Sequence, residues 1–380
     1  MRYSLLDYIA CSYCGGDLTC KIPPQEENQR DDSFEIKEGL LICEKCGHWF
    51  PIHDFIPELL PDHLREWERD LEFFKTLGQE LPVDIFKELL DKSQVFANQA
   101  VTVNVEDEGS NYKKSEISIK SKITDESFFG PGFVSPFNPG NPDFTMHLIR
   151  RLGNVLPLLE LKQEDVVLDM GAGYAWTTEW LKKMGFESIG VDICRTYMDI
   201  GIIRMGEKRP HLVVGDIENL PLKDHVLNAV LCYDAFHHIH NRKKAMGHFF
   251  RTLKDNGNIV LSEPDSTHEF AEVSKEAMNK YGTLEKGMDL EDVADYCDGL
   301  QVKKPEQHFI LKIHRDEQNE TLSSEFIHSH SYDNANVFVV KKRLGQGESL
   351  EPVSHSSKFM RKVKRKVKRL LTRIFFKLLY

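Results

Sequence analysis

Residues 165–194, "DVVLDMGAGYAWTTEWLKKMGFESIGVDIC", decide the fold of this chain. An apolar strand runs into a glycine-rich turn, a helix follows and ends at Gly185, and a second strand ends at Asp192. Gly171 and Gly173 allow a tight turn and let a ligand approach the backbone. Asp192 follows Asp169 by 23 residues, the place where a carboxylate accepts hydrogen bonds from the two hydroxyls of a bound ribose. The stretch therefore predicts a nucleotide-type cofactor site.

The same stretch distinguishes between two cofactors. Folds that bind NAD carry G-x-G-x-x-G directly after the first strand. Here Asp169 precedes the glycines as D-x-G-x-G, and Trp176 stands at the place of the third glycine. Because the full pyrophosphate cradle is missing, we expect S-adenosylmethionine (SAM) rather than a dinucleotide. The expected contacts include Ala172 between the two glycines and Ile193 after the acid.

The segments that follow supply further strands and candidate contacts. "HLVVGDIENLPL" (211–222) predicts a third strand that ends near Asp216, which we expect to meet the adenine amino group with Ile217 against the ring. "NAVLCYDAFHHI" (228–239) predicts a fourth strand that leads into a loop beside the sulfonium, with Tyr233 in the cofactor pocket. "HFFRTLKDNGNIVLSEP" (248–264) predicts a helix, a turn at Gly257 and a fifth strand.

Together, residues 160–265 resemble the class I SAM-dependent methyltransferases, in particular the branch that contains ubiquinone- and menaquinone-type C-methyltransferases. "HHI" and "RTLKDNGNIVLSEP" carry most of that likeness. The resemblance implies an α/β fold: a Rossmann-like, seven-stranded methyltransferase sheet with strand order 3-2-1-4-5-7-6. The last two strands would come from about 300–313 and 335–343. Ala175 departs from the family, because many members have a glycine there.

Two histidines are the candidate catalytic residues. Methyl transfer from a sulfonium is an in-line displacement, so positioning supplies much of the acceleration. A base is needed only when the acceptor must lose a proton. His237 and His238 follow the fourth strand, and imidazole can act as a base at neutral pH. The alternative is that each histidine only satisfies the backbone of its loop.

Four cysteines form two C-x2-C pairs: Cys11 with Cys14, and Cys43 with Cys46. Glycine follows the second cysteine of each pair, as in the turns of a zinc ribbon, and four thiolates suit a closed, structural Zn²⁺ site. The alternative is four buried or free cysteines. Residues 5–62, and "EGLLICEKCGHWFPIHDFIPELLP" above all, resemble the small zinc-ribbon family that activates tRNA and protein methyltransferases. That resemblance implies a structural metal and an interaction surface.

Charge divides the chain into an acidic body and a basic tail. Residues 358–380 hold ten of the 49 Lys and Arg and no Asp or Glu, so residues 1–357 carry −21. The tail places Phe, Val, Leu and Ile at three- and four-residue steps, which predicts a basic amphipathic helix on an anionic membrane surface. Docking on a partner and RNA binding remain open alternatives. The acidic body argues against a broad nucleic-acid footprint.

The predicted organisation is a zinc ribbon (1–62), a helical segment with a linker (63–142), a methyltransferase domain (143–345) and a C-terminal amphipathic helix (356–380). Within the second unit, 62–100 predicts two helices broken near Pro82, and 101–128 a linker or mobile surface loop. "GPGFVSPFNPGNP" (130–142) has a composition that argues against a helix or central strand. We expect there either a domain connection or a loop that folds over a ligand, and then a helix over roughly 143–160.

Neither a signal peptide nor a membrane-spanning run is predicted, which leads us to expect a cytoplasmic protein. The overall expectation is a SAM-dependent methyltransferase that O- or C-methylates a small-molecule, glycan or lipid-linked acceptor at the cytoplasmic membrane face. Two alternatives stay open: an RNA methyltransferase that reads RNA with its zinc ribbon, and a non-catalytic scaffold.

Overall fold

The structure is a computed structural model that describes residues 1–23, 34–78, 108–122, 126–206, 209–297, 301–303 and 335–342. The N-terminal part is an antiparallel sheet in the order β1-β2-β3-β4. Its strands are β1 (Leu18–Lys21), β2 (Gly39–Cys43), β3 (Trp49–His53) and β4 (Ile56–Pro57). Two cysteine-bearing turns lie at one end of this sheet, so the unit has the layout of a ribbon.

A seven-stranded sheet forms the second part. Its strands are β5 (Val166–Met170), β6 (Glu187–Asp192), β7 (His211–Val214), β8 (Leu227–Tyr233), β9 (Leu253–Pro264), β10 (Gln301–Lys303) and β11 (Ala335–Lys341). The order is β10-β11-β9-β8-β5-β6-β7, with β5 to β9 parallel and β10 and β11 antiparallel to their neighbours. Numbered along the chain, this is 3-2-1-4-5-7-6, so the predicted α/β fold and strand order are confirmed.

Helices flank the strands and connect them. They are α1 (Trp67–Gly78), α2 (Glu108–Ile117), α3 (Ile119–Lys122), α4 (Pro142–Val155), α5 (Trp176–Lys183), α6 (Arg195–Met205), α7 (Arg242–Thr252), α8 (Glu272–Tyr281) and α9 (Leu290–Tyr296). The side chain of Asn141 accepts from the Phe144 amide and so caps the start of α4. All five residues of β5 are buried and four of them are apolar, as expected for a parallel sheet covered on both faces.

The ribbon extends the edge of the large sheet. Glu58 and Val214 form a parallel bridge, and the Leu59 amide donates to the Val214 carbonyl at 2.7 Å. On the other side, the Lys223 amide donates to the Tyr8 carbonyl at 2.8 Å. One cluster of buried apolar side chains runs from the ribbon into the large sheet. The otherwise open edge at β7 is therefore paired and covered.

Buried charges reinforce this junction. The Arg195 guanidinium donates to Oε1 of Glu58 at 2.8 Å and to the His53 carbonyl at 2.9 Å. Glu58 also pairs with Arg69 of α1. Burial raises the pKa of Glu58 against the opposing effect of the two arginines. Loss of either arginine would leave a buried carboxylate poorly compensated, which is costly.

Two expectations for the middle of the chain need correction. Residues 108–122 are not a linker: they form α2 and α3, although they lack an apolar stripe. The Pro/Gly-rich segment begins in a 3-10 helix, Glu126–Phe133, that contains Pro131. Proline is tolerated there because its fixed φ suits a helical turn and such a short helix uses few amide donors.

Other expectations concern residues outside the described ranges. These are the break near Pro82, most of the strand predicted over 300–313 and the whole basic tail at 356–380. Of the helices in the described ranges, none is long and apolar enough to cross a membrane. The predicted domain boundaries stay predictions.

Candidate functional site

The glycine-rich turn after β5 opens the site. Gly171 has φ +71°, and a Cβ there would lie 2.2 Å from the Cβ of Ala235, so only glycine fits between the two loops. Gly173 has φ +52° and open space in front of it. Ala175, the departure from the family, also has positive φ (+56°) and is completely buried. The turn leaves backbone accessible where a ligand would lie.

Asp192 at the end of β6 is fixed by backbone amides. The Gly173 amide donates to its Oδ2 at 2.8 Å and the Cys194 amide to its Oδ1 at 2.7 Å. Burial raises the pKa of Asp192, and the amide hydrogen bonds oppose that shift. Each carboxylate oxygen keeps acceptor capacity. The geometry suits a pair of neighbouring hydroxyl donors.

Asp216 lies after β7. Its Oδ1 accepts from the Glu218 amide at 2.9 Å and its Oδ2 from the Asn219 side chain at 2.6 Å. The Lys113 ammonium of α2 donates to the same Oδ2 at 3.0 Å and to Glu218 at 2.8 Å. The acid expected to meet adenine therefore also anchors α2.

These residues border a cavity of about 530 Å³ at the carboxyl ends of the parallel strands. This volume falls within the usual range of ligand sites, about 300–1,000 Å³. Of the predicted cofactor residues, six line it: Gly171, Gly173, Asp192, Ile193, Asp216 and Ile217. The structure thus brings together residues from three strand ends that the sequence separates by up to 46 positions.

The three other predicted cofactor residues are not part of the lining. Asp169 is buried and accepts from the hydroxyls of Thr177 and Thr178, both at 2.5 Å, which ties β5 to the start of α5. Burial raises its pKa to about 6. The Tyr233 hydroxyl donates to the Leu148 carbonyl at 3.0 Å, and Ala172 packs in a small apolar cluster. These three residues therefore support the cavity lining from outside the cavity.

The two histidines after β8 differ in their surroundings. His237 is buried, and its Nδ1 lies 2.8 Å from Oε2 of Glu263, so the ring donates there. Burial alone would lower the pKa of His237, but Glu263, Asp234 and Glu285 outweigh it and raise the pKa. His237 does not line the cavity.

His238 does line the cavity. Its Nδ1 lies 2.9 Å from the Leu284 carbonyl, so Nδ1 donates and Nε2 is left as an acceptor. Burial and the neighbouring His237 lower its pKa to about 4. His238 is therefore neutral at pH 7 and can accept a proton. Of the two candidates, His238 is the one placed to touch an acceptor.

The wall opposite the strands was missed by the sequence interpretation. Tyr112, Lys113 and Glu116 of α2 and Glu285 after α8 line the cavity. Helix α2 has no amphipathic pattern that would have revealed it. Glu285 is ringed by imidazoles, with His268 Nε2 at 3.0 Å and His237 Nε2 at 3.6 Å. No motif surrounds either glutamate, so only the tertiary structure places them.

A second candidate centre lies in the ribbon. The ligand atoms of Cys11, Cys14, Cys43 and Cys46 all lie within 4.8 Å of one another. The Sγ–Sγ distances are 3.7 Å for Cys11–Cys46 and 3.5 Å for Cys14–Cys43. A tetrahedral ion with Zn–S bonds of about 2.3 Å requires sulfurs about 3.8 Å apart. The four thiols therefore fit a metal ion.

His48 supports this cluster from outside. Its Nδ1 lies 3.2 Å from Cys46 Sγ and its Nε2 lies 2.8 Å from Asp62, while Tyr13 stacks on its ring at 4.1 Å. A histidine between a ligand and a carboxylate orients that ligand. Burial raises the pKa of Cys46 to about 11, so a thiolate there needs nearby positive charge, which a divalent cation would supply.

Comparison with known proteins finds a family match for each of the two parts of the chain. Residues 168–261 match the family described as "Methyltransferase domain", and residues 2–54 match the family described as "Trm112p-like protein". The chain thus joins a methyltransferase domain to a Trm112p-like domain, as the two resemblances implied.

Several proteins that are similar in sequence are named as methyltransferases. The methyltransferase YcgJ of Bacillus subtilis is 31% identical over 113 residues, which is 29% of this chain and 45% of that protein. Demethylmenaquinone methyltransferase of Corynebacterium efficiens is 30% identical over 106 residues (28% and 44%). Phosphoethanolamine N-methyltransferase 1 of Zea mays is 26% identical over 179 residues (45% and 32%). This chain spans less than half the length of each of these three proteins.

Two solved structures are among those that match part of the chain. The crystal structure of YcgJ matches with a TM-score of 0.40 at 19% identity, covering 52% of this chain and 100% of that one. A complex that contains the Haloferax volcanii Trm112 methyltransferase activator matches with a TM-score of 0.41 at 17% identity, covering 55% and 96%.

Proposed function

We propose that this protein transfers a methyl group from SAM to a small acceptor bound in the cavity between the strand ends and α2. The observation that carries the proposal is Asp192, held by two backbone amides at the edge of that cavity, with Gly173 beside it. SAM supplies an activated methyl group on a sulfonium. The chain binds and orients both molecules, and positioning of this kind supplies much of the acceleration.

The residues of the cavity fit such a cofactor. Asp192 would accept from the ribose hydroxyls, and Asp216 with Ile217 would border the adenine. Since Asp234 has φ +60° and lines the cavity after β8, it and Ala235 would lie near the reacting centre. Strained backbone at such a place is typical of functional sites.

Cofactor binding is tested by titration calorimetry with SAM. Asp192→Ala should weaken SAM binding at least tenfold, because two charge-assisted hydrogen bonds to the ribose are lost. Asp224→Ala is the matched control, since its carboxylate is exposed, pairs with Arg251 and lies outside the cavity lining. If the unaltered protein bound no SAM, or if both variants bound it equally well, the proposed site would be wrong.

We further propose that the four ribbon cysteines hold a structural zinc ion. All four ligand positions are protein thiols, so no position is left open for catalysis. Its role would be to fix the two cysteine turns and, through them, the strand that covers the edge at β7. The resemblance of residues 5–62 to a zinc-ribbon family that activates methyltransferases supports an activating role for the ribbon, here supplied by the same chain.

The acceptor is proposed to be a small molecule rather than RNA. The described lining of the cavity offers one lysine and no arginine, whereas RNA contacts need a basic surface around the site. The acceptors named for the relatives differ from one another and therefore do not fix the acceptor of this chain. A glycan or lipid-linked molecule fits the proposal if the part that enters the cavity carries no anionic group.

Membrane attachment is a separate part of the proposal. The support is the pattern of residues 358–380, in which Lys and Arg alternate with a stripe of Phe, Val, Leu and Ile. Co-sedimentation with vesicles of 30% phosphatidylserine should pull down the full chain and not a chain that ends at residue 357. Equal sedimentation of both would remove this part and leave the enzymatic proposal intact.

A further inference from the structure

The charge of the cavity carries an inference about the acceptor. Among the described residues that line it are seven carboxylates, from Glu116, Asp192, Asp216, Glu218, Asp234, Glu276 and Glu285, and a single lysine. SAM with an ionised carboxylate carries a net charge of +1, so its binding leaves most of this negative charge in place. A bound acceptor therefore experiences a negative potential.

The lysine cannot serve an anionic acceptor. Lys113 donates to Asp216 at 3.0 Å and to Glu218 at 2.8 Å. Burial alone would lower its pKa, but these two carboxylates outweigh burial and raise it, so the ammonium stays charged and paired. A phosphate or carboxylate on the acceptor would find no cation left for it within the described lining.

Most of the other carboxylates are also committed. Glu285 accepts from the Thr283 hydroxyl at 3.2 Å and meets His268 Nε2 at 3.0 Å. Asp234 pairs with Arg151, whose guanidinium nitrogens lie 3.4 Å from both of its oxygens. These pairs neutralise the charge of Glu285 and Asp234 in part, so the acceptor is expected to meet a different carboxylate.

Glu116 is different. Its Oε1 is buried and has no hydrogen-bond partner in the described part of the chain, and Nδ1 of His238 is 3.6 Å away. Burial raises the pKa of Glu116 to about 7, with Asp192 and Glu285 adding to the shift. A buried carboxylate oxygen without a donor is costly unless a ligand supplies one. Glu116 thus lacks the hydrogen-bond donor that an ammonium group carries.

The charge that develops on the acceptor during methyl transfer also favours an amine over a hydroxyl in this cavity. Methylation of a hydroxyl builds negative charge on oxygen as its proton leaves, and the carboxylates would oppose this. Methylation of an amine builds positive charge on nitrogen, and the same carboxylates would stabilise it. Tyr112 and Tyr281 in the lining add aromatic groups, which also favour cations.

We propose that the acceptor is a primary or secondary amine, bound as its ammonium ion by Glu116 next to His238. This inference rests on the proposed function and replaces the oxygen or carbon acceptor expected from the sequence with nitrogen. The ammonium gives one proton to the Glu116 carboxylate. The amine nitrogen then forms a bond to the methyl carbon while the methyl–sulfur bond breaks. The products are the methylated ammonium ion and neutral S-adenosylhomocysteine.

The test uses the full protein, tritium-labelled SAM and the low-molecular-weight fraction of a cell extract. One half of the extract is first treated with a water-soluble N-hydroxysuccinimide acetate, which acetylates primary and secondary amines and spares alcohols. Transfer should fall at least tenfold in the acetylated half. Equal transfer into both halves would overturn the amine assignment while leaving methyl transfer itself established.

Glu116→Gln tests the named residue, with Glu272→Gln as the control because Glu272 is exposed at the start of α8 and outside the cavity. Glu116→Gln should lower kcat/KM about a hundredfold and keep the Kd for SAM within threefold, and Glu272→Gln should change neither. Loss of SAM affinity in Glu116→Gln would assign Glu116 to the cofactor instead. Absence of SAM binding by the unaltered protein would be a failure of the proposed function.

Discussion

At the strand ends, some site residues can be recognised from the local sequence, and others are placed only by tertiary contacts. Gly171 and Asp192 could be predicted because their motif is local: strand, turn, helix, strand, acid. Asp169 belongs to the same motif, but its carboxylate accepts hydrogen bonds from the hydroxyls of Thr177 and Thr178. Glu116 and Glu285 could not be predicted, because nothing near them in sequence tells which way they face. The sequence therefore could not predict which groups from distant segments meet in the cavity.

The buried pair of His237 and Glu263 gives a pH-dependent prediction. The folded-state pKa of His237 is raised, so its contribution to stability is full below the unfolded pKa and is lost as pH rises through the folded pKa. His237→Gln should therefore lower the free energy of unfolding more at pH 5.5 than at pH 8.5. Urea unfolding at the two pH values measures this.

Glu263→Gln provides the companion measurement. Without the carboxylate, burial dominates and the pKa of His237 falls, so His237→Gln made in the Glu263→Gln background should lose this pH dependence. An equal cost of His237→Gln at both pH values in the unaltered background would show that His237 is not charged when folded.

Among the helices and strands, α2 is the part of the site that could not be predicted from the amino-acid composition. Its polar sequence was interpreted as a linker, because amphipathic periodicity is the main signal for a helix and α2 has almost none. Lys113 holds it in place from the tips of the neighbouring strands. The helix thus closes the cavity through ion pairs rather than through an apolar face.

Lys113→Met should loosen this closure. Asp216 and Glu218 would lose their shared cation, so α2 would open more often and the dissociation rate of S-adenosylhomocysteine should rise at least fivefold in a stopped-flow displacement experiment. Lys114→Met is the matched control, because the neighbouring Lys114 is exposed and outside the lining. Equal rates in the two variants would show that α2 does not restrain the ligand.

The ribbon is the element that the sequence predicted best, because its ligand spacing is local and specific. His48 was not predicted to take part, and it contacts Cys46 and Asp62 beside the cluster. Purified protein should contain about one zinc per chain by mass spectrometry of the metal, as expected for a closed four-thiolate site.

Cys43→Ser should abolish metal binding and lower the thermal midpoint of the whole protein, because β4 covers the edge at β7 and a structural metal contributes folding free energy. Cys20→Ser is the control, since Cys20 lies in β1 outside the four-thiol cluster. A metal-free protein of full stability would contradict a structural zinc.

At the scale of the whole molecule, the ribbon and the large sheet pack against each other through one shared core. Their apolar side chains belong to one buried cluster, and backbone hydrogen bonds join the parts, for example from the Leu59 amide to Val214 of β7 and from the Lys223 amide to Tyr8. The sequence predicted two domains of known type but could not predict this junction, because the bridge between Glu58 and Val214 pairs residues 156 positions apart. Unfolding in urea should accordingly be a single transition when followed by ribbon and sheet probes.

Methyl transfer from SAM to a small acceptor can be measured directly with labelled cofactor. Purified full-length protein is incubated with methyl-labelled SAM and whole cell extract, and the products are separated into organic-soluble, small aqueous, protein and nuclease-sensitive fractions. Label is expected in the organic-soluble or small aqueous fraction, and Asp192→Ala should abolish it. Label that is sensitive to nuclease, or no transfer by a protein that binds SAM, would contradict methyl transfer to a small acceptor.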